Sequence, residues 1–315
     1  MKASNSEIRK FKRCRRSWWL TYVRRLRRRY EGAGPLSLGN MVHHVLEGYY
    51  SSPDRANFLE TWRHVLASYV AARVEELEAS GAEHAVPAMI ADVELAGIML
   101  EGYFEWLAEE GADQMVEVLS AEQEIEAYLG RIEGEDVWLM AKLDVQARLR
   151  DTGEVLSMDH KTVANLSDLP KVAHLDEQQL TYGLVQRIHH QQASVDAPRV
   201  GGALFNMLRK VKRTARANPP FYGRHAVRHN DWEFYNMSVR VMGEVADMLR
   251  VRRALEAGED HRRVAYPNPT RDCSWDCPFF AVCGQFDDGS DVEAVIAEMY
   301  EEHDPYERYA ELEKQ

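Results

Sequence analysis

From Ala141 to Leu149 the chain alternates without interruption: Ala141, Leu143, Val145, Ala147 and Leu149 are apolar, and Lys142, Asp144, Gln146 and Arg148 between them are polar. A period of two predicts a strand with one buried face. Asp151–Gly153 reads as a tight turn and Val155–His160 as the partner strand of a hairpin. Further strands are expected over about 116–128 and over 200–208, where Val200, Ala203, Leu204, Phe205 and Met207 supply the apolar positions. Elsewhere the period lengthens. Residues 4–30 interleave basic positions with Ile8, Phe11, Trp18, Trp19, Leu20, Tyr22, Val23 and Leu26, the pattern of an amphipathic helix with Ser4 or Asn5 as its N-cap. Helices are expected at about 39–50, 54–80 and 87–110, punctuated near Pro53 and Gly81, then at about 170–190 and 229–256, with a short one near the C-terminus. The stretch 31–38, with two glycines and a proline, reads as a loop. This order implies a mixed α/β core with helical additions at both ends.

Composition narrows the class. A chain of 315 residues, 45% of them hydrophobic, has material for a substantial core. It has no apolar run of the roughly 18 residues that a membrane span needs, and its basic N-terminus has no signal-peptide core. A cytoplasmic location, nucleoid-associated or in a phage-infected cell, follows by default. The net charge of −12 argues against a nucleic-acid partner until its distribution is read. Residues 1–30 carry Arg13, Arg15, Arg16 and nine further Lys or Arg against Glu7 alone, and a second basic stretch runs through Arg209, Lys210, Lys212, Arg213, Arg216, Arg224 and Arg228. Local patches, rather than net charge, decide phosphate binding.

Candidate chemistry centres on Asp144 and Asp159-His160-Lys161. Residues two apart on a strand share a face, so Asp159 and Lys161 project together. Asp144 joins them if the hairpin is in register. Two carboxylates on one side suit Mg²⁺ or Mn²⁺, and a neighbouring lysine can position a water or offset phosphate charge. Taken alone, an Asp-x-Lys is also an ordinary strand ion pair. Its company changes that reading. Gly39, His43 and Glu47 stack at i, i+4 on one helix, where an imidazole can ligate a metal. Gln178 and Tyr182 repeat that spacing downstream. Cys14 stands far from Cys273, Cys277 and Cys283. In a chain where stable disulfides are rare, this spacing suggests ligands, and the residues themselves leave an iron–sulfur cluster, a structural Zn²⁺ and free thiols open.

The ordered series Gly39–His43, Asp144, Asp159–Lys161 and Gln178–Tyr182 resembles the RecB-like branch of the PD-(D/E)XK nuclease superfamily. Cys14 and Cys273-x3-Cys277-x5-Cys283, with Cys277-Pro278-Phe279, are similar to the cysteines of the CRISPR-associated iron–sulfur exonucleases and of the AddB-type nuclease domain. The spacing between Cys273 and Cys277 is one residue longer than the family's commoner one. The resemblance spans residues 14–283. It implies a restriction-endonuclease-like mixed β-sheet core flanked by helices, with the N- and C-terminal segments joined through a cysteine metal site. The whole chain, 1–315, would be a single nuclease domain: a basic N-terminal segment (1–35), a helical region (36–112), the nuclease core (113–210) and a cysteine-rich C-terminal region (211–315).

By the same resemblance, His43, Asp144, Asp159 and the backbone carbonyl of His160 hold Mg²⁺ or Mn²⁺, Lys161 acts on the water, and Gln178 and Tyr182 support Lys161 or the DNA. Glu122 or Glu124 is an auxiliary carboxylate. Cys14, Cys273, Cys277 and Cys283 hold a [4Fe–4S] cluster, with structural Zn²⁺ as the alternative. The expected partner is DNA, at single-stranded ends, alongside recombination or replication proteins. Arg13, Arg15, Arg16, Lys210, Lys212 and Arg213 would contact phosphates, and Trp18, Trp19, Phe221 and Tyr222 would stack on bases. The expected function is a metal-dependent DNA exonuclease of recombination, repair or phage DNA metabolism. Its rivals are an inactive DNA-binding protein of the same fold and a zinc-stabilised interaction module.

Overall fold

A computed structural model describes residues 1–29, 37–79, 81–214, 216–310 and 312. Of the expected loop at 31–38, residues 31–36 lie outside the described residues, and Ser37 and Leu38 already belong to a helix. The described strands are β1 (Lys2–Ser4), β2 (Leu26–Arg28), β3 (Val116–Ile132), β4 (Glu135–Leu149), β5 (Val155–Val163), β6 (Val200–Arg209), β7 (Tyr222–Arg228) and β8 (Tyr300–Glu302). The chain gathers into two compact units, one of residues 31–125 and 142–234, the other of residues 1–30, 126–141 and 235–315.

In the first unit the second half of β4, then β5, β6 and β7 lie side by side. The hairpin expected from the alternation is present: β4 and β5 run antiparallel with Val145 opposite Met158 and Gln146 opposite Ser157. β5 and β6 are parallel, with Asp159 opposite Phe205, His160 opposite Asn206 and Lys161 opposite Met207. β7 returns antiparallel to β6. The sequence Tyr-Gly-Arg-His-Ala-Val-Arg of β7 lacks a clean period of two, which is why it reads as a basic stretch rather than a strand. Gly202 of β6, opposite Arg228 of β7, has φ +135, and a Cβ there would stand 2.2 Å from the Val227 carbonyl oxygen, so only glycine fits.

The three expected helices of the N-terminal half form at Ser37–Ser51, Arg55–Ala79 and Val86–Glu110. Met41, Val42, Val45 and Leu46 are at most 1% exposed and pack in one core cluster with Leu156, Met158 and Leu204 of the sheet. Burial of each such side chain contributes on the order of 1.5–3 kcal/mol, and that packing fixes the Ser37–Ser51 helix on the sheet. Gly48 lets the next helix approach: a Cβ would meet the Phe58 ring at 2.7 Å.

The helix expected over 170–190 is divided. Leu169–Val172 and Ala173–Leu175 are single turns, and the long helix Glu177–Ala193 begins only after Asp176, whose carboxylate caps the backbone N–H of Gln178 and Gln179 at 2.9 and 3.2 Å. Gln146, expected on a solvent face, is 5% exposed, with its amide 3.2 Å from His190 of that helix.

In the second unit the single helix expected over 4–30 is broken at Cys14, whose backbone is extended (φ −162, ψ 111). Asn5–Arg13 is helical and capped by the Ser4 hydroxyl. Arg15–Trp18 and a π-turn at Trp19–Val23 follow, and then β2, which pairs with β8. β1 lies parallel to Trp138–Met140 of β4. Leu20, Phe279, Val282, Ile296 and Tyr300 form a small core cluster. Trp18 is fully buried, edge-on to Phe11 at 5.0 Å, and donates from Nε1 to the buried carboxylate of Glu7 at 3.1 Å. The helix Asp231–Glu256 appears as expected.

Candidate functional site

The β4–β5 ladder runs no further than Val145 and Met158 toward the Asp159 end of β5. Beyond it the Asp144 carboxylate takes the place of a backbone partner, its Oδ2 accepting from the His160 N–H at 3.0 Å. The next β5 residues, Asp159 and Lys161, flank that peptide. Lys161 Nζ lies 2.6 Å from Asp159 Oδ2. His43, one turn into the Ser37–Ser51 helix, brings Nδ1 to 3.4 Å from Asp144 Oδ2. The structure therefore gathers His43, Asp144, Asp159, His160 and Lys161 at one end of the hairpin.

Burial governs their electrostatics. Asp159 is 4% exposed, and burial pushes its carboxyl up to about 6; the Lys161 ammonium opposes this rise and the Asp144 charge adds to it. Burial works against the charge on Lys161, but Asp159 beside it wins and raises the ammonium above its ordinary value, with Asp144 and Asp176 contributing. The His160 imidazole is lowered to about 3 by burial.

Glu122 belongs to the same neighbourhood. Burial, then the charges of Glu47 and Asp144, raise its carboxyl, and Lys142 Nζ stands 3.3 Å away. Its backbone sits in the left-handed region (φ 50), where a side chain other than glycine is strained. Glu124, two residues on, is buried at 9% exposure. Gln178 is half-buried in the first turn of the helix capped by Asp176, and Tyr182 is buried a turn later at 5% exposure. Sequence reasoning missed Asp176. An aspartate directly before a helical period was the available signal, since that residue type caps helices.

The donors fit a hard divalent ion in kind: two carboxylates, an imidazole and a main-chain carbonyl. Asp159 Oδ2 is sealed from solvent and receives no well-directed hydrogen bond, so the ammonium of Lys161 is the cation that faces it. Among the described residues, no three His, Cys, Asp or Glu side chains converge into a finished metal cage.

The cysteines are four free thiols, each half-buried, within the second unit. Cys14 Sγ accepts from the Asn268 N–H at 3.4 Å and Cys273 Sγ from the Thr270 N–H at 3.3 Å. Arg16 Nη1 lies 3.9 Å from Cys283 Sγ. Burial raises the Cys283 thiol, the Arg16 guanidinium opposes that rise, and charge on Cys14 or Cys277 adds to it; among the described residues these sulfurs form no group of three fit to hold a metal ion.

The residues expected to hold DNA need correction. Arg16 is 1% exposed and engaged with Asp287 and the Cys283 carbonyl, and Trp18 is fully buried. Neither can reach a nucleic acid without unfolding. Tyr222 is 7% exposed and packs on Tyr103 and Trp106. Trp19 is half-buried and stacked on His261, and Phe221 is half-buried beside Tyr222. Lys12, Arg13, Arg24, Arg25 and Arg27 face the carboxylates of Glu244, Asp276, Glu293, Asp304 and Glu301, so acidic C-terminal residues neutralise much of the basic N-terminal run. Arg15 lies over the Phe11 and Tyr266 rings. Lys212 and Arg213 pair with Glu94 and Glu105, and Lys210 is exposed.

A family model described as the PD-(D/E)XK nuclease superfamily matches residues 2–284. No curated protein matches the sequence. Among solved structures, the crystal structure of SSO0001 aligns over 79% of this chain and 84% of its own length, at 14% identity and a TM-score of 0.33, a likeness too slight to carry an argument. No helix among the described residues is long and apolar enough to cross a membrane.

Proposed function

Because the chain belongs to the PD-(D/E)XK nuclease superfamily, we propose that it is a metal-dependent deoxyribonuclease, one nuclease domain over residues 1–315, that hydrolyses phosphodiesters as an exonuclease at single-stranded DNA ends. The observation that carries this reading is the meeting of Asp144, Asp159 and Lys161 around the His160 peptide. In it, His43, Asp144, Asp159 and the His160 carbonyl hold Mg²⁺ or Mn²⁺. Such an ion supplies Lewis-acid polarisation of the phosphate and lowers the pKa of a water.

The chain's own groups do the rest. The buried Asp159 carboxylate resists ionisation while it stands alone, so it favours a cation beside it. The Lys161 ammonium, firmly protonated, donates to the attacking water or to a non-bridging phosphate oxygen as negative charge develops. Glu122 serves as an auxiliary carboxylate beside Asp144, and Gln178 and Tyr182 support Lys161 or the DNA strand. Lys210, which is exposed, and Arg213, tied only by a surface pair with Glu105, are the cations best placed for phosphate contact, and Arg15 lies half-buried over the Phe11 and Tyr266 rings.

In the second unit, Cys14, Cys273, Cys277 and Cys283 hold a [4Fe–4S] cluster. Support comes from the backbone N–H groups on two of the sulfurs, which favour thiolates; at Cys283 the Arg16 guanidinium offsets part of the rise that burial causes. Structural Zn²⁺ would draw on the same sulfurs, and metal analysis distinguishes the two.

The experiment uses end-labelled linear and circular single-stranded DNA and duplex DNA, with Mn²⁺ or Mg²⁺ against EDTA. Progressive shortening of the linear single strand only in the presence of metal is expected. Equal digestion of circular DNA would refute the exonuclease assignment, and no cleavage of any substrate would refute the nuclease reading.

A further inference from the structure

The register sets His160, Asn206 and Arg224 side by side across β5, β6 and β7, and residues paired in this way share a sheet face. On that face lies a buried polar network. Arg224 donates from Nε to Asn206 Oδ1 at 3.2 Å, from Nη1 to the Ala112 carbonyl at 2.6 Å and from Nη2 to the Tyr50 hydroxyl at 2.9 Å, and it is paired with Asp113. The Tyr50 and Tyr103 hydroxyls are 2.7 Å apart.

A guanidinium has only donors, so the Asn206 amide must turn its oxygen toward Arg224. Its nitrogen then faces His160 Nδ1, at 3.0 Å. Nδ1 is thereby the acceptor, and the proton of the neutral ring sits on Nε2. Stacking on Tyr50, with ring centroids 5.2 Å apart and 22° between the planes, holds the imidazole from its flat side. His160 is 2% and Asn206 0% exposed, so neither side chain reaches DNA.

The same His160 presents its main chain to the site, with its N–H on Asp144 Oδ2 at 3.0 Å. Near this point β5 has no ladder bonds to β4, and its placement depends on β6 and on the side chains behind it. We propose that Arg224, acting through Asn206 and the His160 imidazole, is a positioning residue: it fixes the peptide between Asp159 and Lys161, and with it the Asp144 carboxylate, where a divalent cation is to be held. This inference rests on the nuclease reading above. His160 Nε2 is buried without a partner, so the ring is held through Nδ1 and by stacking; breaking a bond among Arg224, Asn206 and Nδ1 strands a buried polar group, which favours this one arrangement. Arg224, which in the sequence belongs to a basic stretch, thus acts away from phosphate.

The test titrates the metal-free full chain with Mn²⁺ in the absence of DNA. Arg224→Lys keeps a charge against Asp113 but cannot reach Asn206, the Ala112 carbonyl and Tyr50 together. It should lose about tenfold or more in Mn²⁺ affinity, while its DNA affinity in EDTA stays at the wild-type value. Unchanged Mn²⁺ affinity with weakened DNA binding would mean that Arg224 is a phosphate contact, and the proposal would fall. Should that variant not fold, the nearly isosteric Asn206→Asp accepts from Nδ1–H and reverses the tautomer, which nitrogen-15 shifts of the imidazole report. Wild-type Mn²⁺ affinity in that variant would equally overturn the proposal. A wild-type chain that takes up no Mn²⁺ sinks the nuclease reading itself, whereas equal uptake by wild type and variants sinks only the positioning role.

Discussion

The Asp144 carboxylate accepts a hydrogen bond of 3.0 Å from the backbone N–H of His160. A side chain of one strand thus occupies the place where the neighbouring strand's main chain would have continued the ladder. The bond ties the carboxylate of β4 to the segment that carries Asp159 and Lys161, so the three groups move together. It costs little, because a charge-assisted bond to a carboxylate is stronger than the amide–carbonyl bond it replaces.

That arrangement predicts that Asp159→Ala and Lys161→Ala each reduce metal-dependent cleavage by on the order of 10²–10³-fold or more, with DNA affinity in EDTA changed little. Gel-resolved digestion of an end-labelled strand measures the first and filter binding the second. Cleavage by either variant at the wild-type rate would remove both residues from the reaction.

The two buried groups of β5 oppose each other as pH changes. His160, lowered to about 3 in the fold by burial, gives stability that is present above the ordinary imidazole value of roughly 6.5 and is lost on acidification below it. Asp159, raised to about 6 by burial, has the reverse dependence: its contribution is full below the ordinary carboxyl value of about 3.9 and is lost as pH rises through about 6. Each effect has a slope of about 1.4 kcal/mol per pH unit, and between about pH 4 and 6 they offset. His160→Asn should therefore gain stability relative to wild type as pH falls through that window, as urea midpoints at several pH values would show. Parallel curves for the two proteins would contradict the neutral buried imidazole.

Glu122 has a left-handed backbone and a carboxylate that burial and the charges of Glu47 and Asp144 hold above its usual range. Glu122→Gly should relieve both strains and stabilise the protein by about 1 kcal/mol, while slowing cleavage if the carboxylate assists the metal site. A variant that is less stable, or as active as wild type, would show that the strain serves no site.

If the proposed cluster is held by these sulfurs, Cys283→Ser should release metal and lower the melting temperature by several degrees, because a metal shared by Cys14 and Cys273–Cys283 would close a loop across most of the chain. Iron and acid-labile sulfide in the purified protein, with a brown colour, are expected. Stoichiometric zinc would assign the sulfurs to a structural Zn²⁺ site, and an unchanged melting temperature would deny any metal a structural role.

Much of this protein is legible in its sequence. The alternation from Ala141 to Leu149 and the apolar positions of Val200–Met207 each carry a period that burial on one or both sides imposes locally, so these strands and the long helices fell where expected. The structure brings together the acidic pair, the lysine and His43 that residue type and spacing singled out. Longer-range pairing was not. A lone sequence cannot say that the Arg of Arg224 meets Asp113 rather than a phosphate, that Trp18 and Arg16 turn inward, or that acids near the C-terminus neutralise the N-terminal basic run. Those outcomes follow from which strands become neighbours and which side chains lose water. They are decided by the free energy of the whole packed arrangement, and charge along the chain carries no record of it.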